Sequence, residues 1–214
     1  MGLNLTPYTE QRNRLPRTGK VILAQYDKDS VVVYQAYRPA IGLYAAKHNH
    51  FGGEFSLSRM SWIKTNFLWM MYRSDWGTKA GQEVILAVKL RREAFDFILS
   101  QAVPVKYNPK RYANKSEWQK AVARSDVRLQ WDPDRNPYGG KLNAGRRAMQ
   151  LGLRREAIAN YNREWIINIE NISDLVLEQR KYLDHPDYQN PVVPIAQIYP
   201  VQDQTIAHNL GITN

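Results

Sequence analysis

Cysteine is absent from this chain of 214 residues, which excludes disulfides, cysteine metal sites and thiol catalysis. Histidine is scarce, and His48 and His50 are too close for the i, i+4 pair of a helical metal site. We therefore expect no metal centre. No stretch approaches the ~20 apolar residues of a membrane span, and the first residues lack the apolar core of a secretory signal. These absences predict a cytoplasmic protein with no membrane partner.

Several common catalytic motifs are also missing. The chain contains no G-x-x-x-x-G-K-[ST] loop, no G-x-G-x-x-G after a strand, no H-E-x-x-H and no G-x-S-x-G. Each of these motifs supplies a fixed arrangement of backbone amides, metal ligands or a nucleophile. The sequence therefore gives no support to a P-loop, Rossmann, zinc-protease or serine-hydrolase reaction.

Positive charge is abundant instead. The formal net charge is +10 and the isoelectric point is near 9.7, which favours a polyanionic partner or a phosphorylated small molecule. Arg12, Arg14 and Arg17 cluster around Pro16, so residues 1–20 are predicted to be a basic, flexible N-terminal arm. That arm is either an ordinary solvated tail or a contact for nucleic acid.

The remaining chain, residues 21–214, has the length of one domain and shows no interior linker. Apolar, β-branched runs predict strands at residues 31–37, 84–90, 127–131 and 165–169. The runs at residues 21–27 and 30–37 resemble a hairpin, and strands and helices do not alternate strictly. We therefore predict an α+β fold with a mixed or mostly antiparallel central sheet flanked by helices.

The stretch from residue 55 to 72 organises the rest of this prediction. A polar, alternating run leads into six consecutive residues without a polar side chain, which is the pattern of a strand, a turn and a buried helix. Phe67, Trp69 and Met70 are expected to be buried against the sheet. Arg59 and Lys64 precede the helix, and cations beside a helix N-terminus suit a phosphate-bearing ligand.

Polar residues also stand where apolar strands end. Gln35 and Tyr37 close one strand, and Gln130 and Asp132 close another. A polar group in an apolar strand costs a few kcal/mol if it has no partner, so such residues serve either structural hydrogen bonds or a ligand. We expect four side chains to converge on one cleft: Gln35, Arg59, Lys64 and Asp132.

Several long strings resemble a family of unknown function, catalogued as number 4291 among such domains. They are VVYQAYRPAI, RMSWIKTNFLWMMYRSDWGTKAGQEVILAV, VRLQWDPDR and AMQLGL, and the resemblance covers about residues 21–199. The matching motif residues are Tyr34, Gln35, Ala36, Tyr37, Arg59, Trp62, Lys64, Phe67, Trp69, Arg73, Gln130, Trp131, Asp132 and Arg147. The family pattern has Glu at the position of Asp134, so Asp132 is the carboxylate that we assign to a site. The resemblance implies no particular reaction.

The order of these motifs also resembles the ADP-ribosyltransferase superfamily. There, a first strand supplies Arg or His, a second strand that leads into a helix supplies Tyr or Ser, and a later strand supplies Glu. This chain departs from the pattern, because Gln35 stands in place of Arg or His, and Asp132 or Gln130 in place of Glu. The resemblance implies an ADP-ribosyltransferase-like fold and NAD as the substrate.

Under that resemblance, the implied catalytic residues are Gln35, at the nicotinamide, and Asp132, at the ribose. A carboxylate there orients a hydroxyl and stabilises the oxocarbenium-like state formed as nicotinamide leaves. The residues assigned to binding NAD are Tyr34, Tyr37, Arg59, Ser61, Lys64, Asn66, Arg73, Gln130 and Trp131. The high positive charge then favours a nucleic acid, RNA or DNA, as the acceptor of ADP-ribose.

Two other functions remain open from the sequence. In a non-catalytic nucleic-acid-binding module, the same cations hold phosphates and aromatic side chains stack on bases. The candidate stacking residues are Trp62, Trp131, Tyr107 and Tyr112, of which the two tyrosines lie in the basic loop KYNPKRYANK. The third candidate is an enzyme that acts on a phosphorylated metabolite.

Overall fold

A central β-sheet with helices on both faces forms the core of the fold. The structure is a computed structural model that describes residues 2–184 and 190–213. The strands are β1 (Leu5–Pro7), β2 (Leu23–Ala24), β3 (Ser30–Tyr37), β4 (Ser61–Lys64), β5 (Val84–Arg91), β6 (Ala102–Pro104), β7 (Val127–Pro133), β8 (Arg147–Leu153), β9 (Ile166–Asn171), β10 (Val192–Pro194) and β11 (Gln197–Ile198). The helices are α1 (Tyr8–Arg14), α2 (Pro39–His48), α3 (Phe67–Ser74), α4 (Arg92–Ser100), α5 (Lys115–Arg124), α6 (Arg155–Asn160), α7 (Ser173–Asp184) and α8 (Gln204–Leu210), and a π-helical turn (Tyr161–Trp165) continues α6.

Within the described residues, the central sheet has seven strands in the order β6, β7, β8, β4, β3, β5 and β9. The pairing of β6 with β7 is parallel, and the other neighbours in this sheet pair antiparallel. The fold is therefore α+β with a mixed, mostly antiparallel sheet, as predicted. The four strands predicted from the sequence are confirmed as β3, β5, β7 and β9, although Trp165 ends the π-helical turn instead of starting β9.

Strand β3 separates two apolar layers. Because successive side chains of a strand point to opposite faces, Val31 and Val33 join the larger core cluster, whereas Val32 and Tyr34 join the smaller one. Helices α2, α4, α6 and α8 contribute to the larger cluster, on what we call the α4 face of the sheet. Helices α3 and α7 contribute to the smaller cluster, on the α3 face.

The predicted strand, turn and buried helix correspond to β4 and α3. Phe67, Trp69 and Met70 are buried, as expected. The helix begins after Asn66, whose side chain accepts a hydrogen bond from the backbone N–H of Trp69 at 2.8 Å and so satisfies one of the free donors of the first turn. α3 is apolar but has only 8 residues. In the described part of the chain, no helix is both long and apolar enough to cross a membrane.

The prediction of a flexible N-terminal arm is wrong for residues 5–14. Strand β1 pairs antiparallel with β10, and α1 follows it directly. The amide of Gln11 donates to the carbonyl of Pro194 at 3.1 Å and accepts from the N–H of Ala196 at 2.7 Å. These partners lie more than 180 positions away, so local composition, which shows only the exposed arginines, gives no sign of them.

Candidate functional site

Polar side chains form a row across four strands on the α3 face. Tyr34 of β3 lies opposite Lys64 of β4, Lys64 lies opposite Gln150 of β8, and Gln150 lies opposite Gln130 of β7. Directly opposed residues have Cβ atoms ~5 Å apart, so the row is continuous. Phe67 of α3 packs edge to face on Tyr34, with 5.4 Å between the ring centroids. The other three members of the row line an open cleft.

This cleft, which we call the Asp132 cleft, has a volume of about 560 Å³. The polar face of β4, β8 and β7 forms its floor, and α3 and the loop after β7 form its walls. It brings together four of the residues assigned to the site from the sequence: Lys64, Arg73, Gln130 and Asp132. The other lining residues are Trp62, Trp69, Tyr72, Gln82, Pro133, Arg135, Lys141 and Gln150.

The carboxylate of Asp132 is held by two amides. Gln130 Nε2 donates to Oδ1 at 2.8 Å, and Gln150 Nε2 donates to Oδ2 at 2.6 Å. Both glutamines point to the same face as Asp132, because Gln130 is two residues before Asp132 in β7 and Gln150 of β8 lies opposite Gln130. The carboxylate therefore has a fixed orientation in the floor of the cleft.

Lys64 lies beside this carboxylate and is only 7% exposed. Its Nζ donates to the carbonyl of Trp62 at 3.3 Å. Burial lowers the pKa of Lys64 to about 7, and the charge of Arg73 acts in the same direction, while Asp132 opposes the shift. A large fraction of Lys64 is therefore neutral near pH 7, so that its amine can accept a proton.

Aromatic and cationic side chains form the walls. The rings of Trp69 and Tyr72 stack with centroids 5.3 Å apart, and the guanidinium of Arg135 lies 3.7 Å from the centre of the Tyr72 ring. Two buried donors here, Trp69 Nε1 and Arg135 Nε, have no hydrogen-bond partner among the residues that the structure describes. A buried donor without a partner is costly, and a ligand that carries acceptor atoms would satisfy such groups.

The electrostatic balance of the cleft favours an anion. Its lining contains three cations, Arg73, Arg135 and Lys141, the amine of Lys64, which is only partly protonated near pH 7, and one carboxylate, Asp132. Among the residues that the structure describes, no three histidine, aspartate or glutamate side chains are grouped so as to hold a metal ion. The cleft is thus suited to a ligand with phosphate groups and a planar ring, which is the chemistry of a nucleotide.

Gln35 lies outside this cleft, on the α4 face. Its Nε2 donates to Tyr37 Oη at 2.8 Å and to Ser61 Oγ at 3.0 Å, and its Oε1 accepts from Tyr161 at 2.6 Å. A further short hydrogen bond joins Tyr37 and Ser61. Burial raises the pKa of Tyr37 and Tyr161. The hydrogen bonds of this network occupy the side-chain amide of Gln35. Gln35 therefore has a structural role in its apolar strand.

The predicted convergence of four polar side chains is therefore wrong for two of them. Lys64 and Asp132 share one cleft, but Gln35 is on the opposite face of the sheet. Arg59 is exposed and lines a different cleft of about 460 Å³, together with Tyr37 and Ser61. The physical reason is the alternation of side chains along β3 and β4, which sends Tyr34 and Lys64 to one face but Tyr37 and Ser61 to the other.

Three further residues assigned to NAD from the sequence have structural contacts. Tyr34 is only 1% exposed, and burial raises its pKa. Asn66 caps α3 and donates through Nδ2 to Asp134 at 3.0 Å. Asp134 in turn forms a buried ion pair with Arg146 at 2.6 Å. Trp131 faces away from the Asp132 cleft and donates through its indole N–H to the carbonyl of Leu210 at 2.9 Å.

Sequence reasoning missed several residues of the cleft. Gln150 is a polar residue in the apolar strand AMQLGL, which is the same signal that drew attention to Gln35. Tyr72 belongs to the run that was predicted to be buried in the core, and Arg135 and Lys141 gave no comparable signal, because basic residues in loops are usually solvated. Their role depends on the packing of α3 and the loop after β7 around β4.

The comparisons with known proteins concern the family of the chain. No curated protein matches it. The family model described as Domain of unknown function (DUF4291) matches residues 21–199. That range includes β3, β4, α3, β7 and β8, and with them every residue that lines the Asp132 cleft. The chain therefore belongs to the DUF4291 family.

Proposed function

We propose that the chain binds NAD in the Asp132 cleft and transfers ADP-ribose to an acceptor, with a nucleic acid as the acceptor. The observation that carries the proposal is the carboxylate of Asp132, fixed by two amides in the floor of a cleft that also holds three cations, the amine of Lys64 and stacked aromatic rings. A nucleotide substrate matches these groups in charge and shape. The order along the chain of the strands that supply Lys64 and Asp132 also resembles that of the ADP-ribosyltransferases, which supports the choice of reaction.

The roles in this proposal differ from those that the sequence suggested. We propose that Arg73, Arg135 and Lys141, which line the cleft, hold the pyrophosphate, the role first given to Arg59 and Lys64. Trp69 and Tyr72 offer ring faces for the adenine or the nicotinamide. Gln35 has no part in this proposal, since its amide is occupied on the α4 face.

In the proposed reaction, the bond between ribose C1′ and the nicotinamide nitrogen breaks, and its electron pair leaves with neutral nicotinamide. The negative charge of Asp132 stabilises the positive charge that develops on the ribose. An oxygen of the acceptor then forms a bond with C1′, and its proton passes to the neutral amine of Lys64. With water as the acceptor, the products are ADP-ribose and nicotinamide.

The test is incubation of the purified protein with NAD labelled in its nicotinamide, alone and with RNA, single-stranded DNA or duplex DNA. We expect release of nicotinamide, and we expect Asp132→Asn to lower the rate ~100- to 1,000-fold with NAD affinity nearly unchanged, the range seen when one transition-state donor is removed. Glu156→Gln removes an exposed carboxylate on α6 and serves as the control. Absence of nicotinamide release under all of these conditions would contradict the proposal.

Two alternatives stay as separate outcomes of the same experiment. Salt-sensitive binding of nucleic acid without any change in NAD would favour a non-catalytic nucleic-acid-binding module. Binding of other phosphorylated compounds, detected as a thermal shift that Arg135→Gln removes, would favour an enzyme of phosphorylated metabolites. We also propose that the activity is cytoplasmic, because the sequence features described above predict a cytoplasmic protein.

A further inference from the structure

A second cleft, of about 590 Å³, lies at the edge of the sheet beside β7. Strand β6 ends at Pro104, so β7 loses its parallel neighbour after Leu129. The loop after β6 turns aside, and α8 with the residues that follow it closes the other side. We call this space the edge cleft. It is large enough for one or two nucleotides, since pockets of roughly 300–1,000 Å³ accommodate ligands of that size.

The lining of the edge cleft is strongly basic. Lys20, Lys106, Lys110, Arg111 and Arg147 line it, and no aspartate or glutamate among the described residues does. Arg111 is partly committed, because its guanidinium donates to the carbonyl of Asn209 and lies 5.4 Å from the ring centre of Tyr112. In the described part of the chain, the other four cations form no ion pair. Their charges are therefore left for an anion from outside the chain.

Aromatic rings with fixed orientation lie among these cations. The indole of Trp131 is oriented by its hydrogen bond to the carbonyl of Leu210 at 2.9 Å. Tyr107 donates to the carbonyl of Tyr112 at 3.3 Å and packs against Trp118, with 6.2 Å between ring centroids. Trp131 and Tyr107 both line the edge cleft. Rings held in place among cations are the combination that binds the bases and the backbone of a single strand.

Gln130 connects this cleft with the first one. It lines both clefts, and its side-chain amide donates to Asp132. The two clefts therefore adjoin at this residue of β7, although Trp131 and Asp132 point to opposite faces of the strand. This neighbourhood gives the acceptor in the proposed reaction a place to bind next to the reacting ribose.

We infer that the edge cleft binds a single-stranded nucleic acid and presents it to the Asp132 cleft as the acceptor. The acceptor role rests on the proposed function, whereas the binding itself does not. The dimensions favour a single strand or a frayed end, because a cleft of this volume does not admit a duplex. The phosphates of the strand bind the lysine and arginine side chains that line the cleft, and the bases stack on Trp131 and Tyr107.

The test measures binding without NAD. Fluorescence anisotropy with short labelled RNA and DNA single strands, and with the matched duplex, is recorded over a series of salt concentrations. The test variant is Lys106→Glu with Lys110→Glu, two exposed positions in the loop after β6. The control variant is Lys47→Glu with Lys181→Glu, which changes the net charge equally on α2 and α7, at the other end of the sheet.

We expect the test variant to bind a single strand at least ~10-fold more weakly, and its slope of log K against log salt to shrink by roughly 0.7 for each lost phosphate contact. The control should keep the slope of the original protein. Equal losses in the two variants, or tighter binding of the duplex than of the single strand, would overturn the inference. Thermal unfolding of both variants checks that neither has lost its fold.

A second measurement separates this inference from the proposed function. If NAD is cleaved, the test variant should release nicotinamide with water as acceptor at an unchanged rate but label the oligonucleotide poorly. If NAD is not cleaved while the test variant alone loses binding, the proposed reaction fails and the edge cleft stands. If NAD is cleaved and both variants label the oligonucleotide equally well, the edge cleft fails and the proposed reaction stands.

Discussion

The side-chain amide of Gln150 donates to Oδ2 of Asp132 at 2.6 Å from the neighbouring strand. Gln130 occupies Oδ1 from within the same strand as Asp132. A carboxylate held at both oxygens cannot rotate without breaking a hydrogen bond to a charged group, which is worth about 1.5–3 kcal/mol. The orientation of Asp132 is therefore set by two glutamines, Gln130 and Gln150, which are themselves uncharged.

Replacing Gln150 by Met should impair the proposed reaction more than the fold. Met has a similar volume but cannot donate, so Asp132 loses its fixed orientation, and we expect nicotinamide release to slow ~10- to 100-fold. Gln82→Met makes the same change elsewhere in the cleft lining, at a side chain with no hydrogen bond to Asp132, and should have little effect. An equal loss of rate in the two variants would argue against the orienting role.

Lys64 should give the stability of the protein a distinct pH dependence. Its pKa is lowered from 10.5 to about 7 in the folded state, so between these values the unfolded chain binds the extra proton and stability rises with pH. Below pH 7 the folded protein bears the full cost of a buried charge. Lys64→Met should therefore stabilise most at or below pH 7, and its advantage should shrink as the pH approaches 10.

Urea unfolding at several pH values measures this effect. The slope for one proton is at most about 1.4 kcal/mol per pH unit. Lys47→Met, at an exposed position of α2, should show no such trend. A constant difference between Lys64→Met and the original protein across this range would mean that Lys64 keeps an ordinary pKa. In the proposed reaction, the rate should also rise through pH 7 as the amine becomes neutral.

Gln35→Leu should affect stability and spare NAD binding. The change leaves the hydroxyl of buried Tyr161 without its acceptor, and a buried polar group without a partner costs about 1–3 kcal/mol. Adding Tyr161→Phe removes that hydroxyl and should recover part of the loss. Calorimetric titration with NAD and urea unfolding separate the two effects. If Gln35→Leu lost turnover but kept the free energy of unfolding of the original protein, Gln35 would have a catalytic role.

Asp134→Ala should be among the most destabilising single changes in the chain. It leaves Arg146, which is only 6% exposed, without its ion pair, and breaking one side of a buried pair typically costs about 3–5 kcal/mol. Asp134→Leu with Arg146→Met should restore much of the stability, because no buried charge remains. Glu10→Ala breaks an exposed pair with Arg14 and should cost less than about 1 kcal/mol. Urea unfolding of the three variants and the original protein tests the comparison.

The secondary structure could be predicted where local pattern decides it. The apolar run at residues 67–72 predicts a buried helix, and the β-branched run at residues 31–37 predicts a strand. Both predictions are confirmed, as α3 and β3. The docked N-terminal segment could not be predicted, because Gln11 finds its partners beside β10 and not in its own neighbourhood. Contacts between distant segments leave no trace in local composition.

The site was only half predictable for a related reason. Alternation within one strand shows that Gln130 and Asp132 share a face, and the structure agrees. Whether Gln35 shares that face depends on the register of β3 against β4 and of β4 against β8. A shift of one residue in either pairing exchanges the faces. The sequence can therefore group residues within a strand but cannot assign two strands to one cleft.

The buried Asp134 also couples the two walls of the Asp132 cleft mechanically. Its carboxylate accepts from Asn66, at the start of the helix that carries Trp69 and Tyr72, and from Arg146, which also donates to the carbonyl of Pro16. Helix α3, the loop after β7 and the N-terminal segment are thus tied at one point. To widen the cleft, the protein must either break the hydrogen bonds of Asp134 or move the three segments together. The entry of a large ligand should therefore depend on the N-terminal segment as well as on the residues that line the cleft.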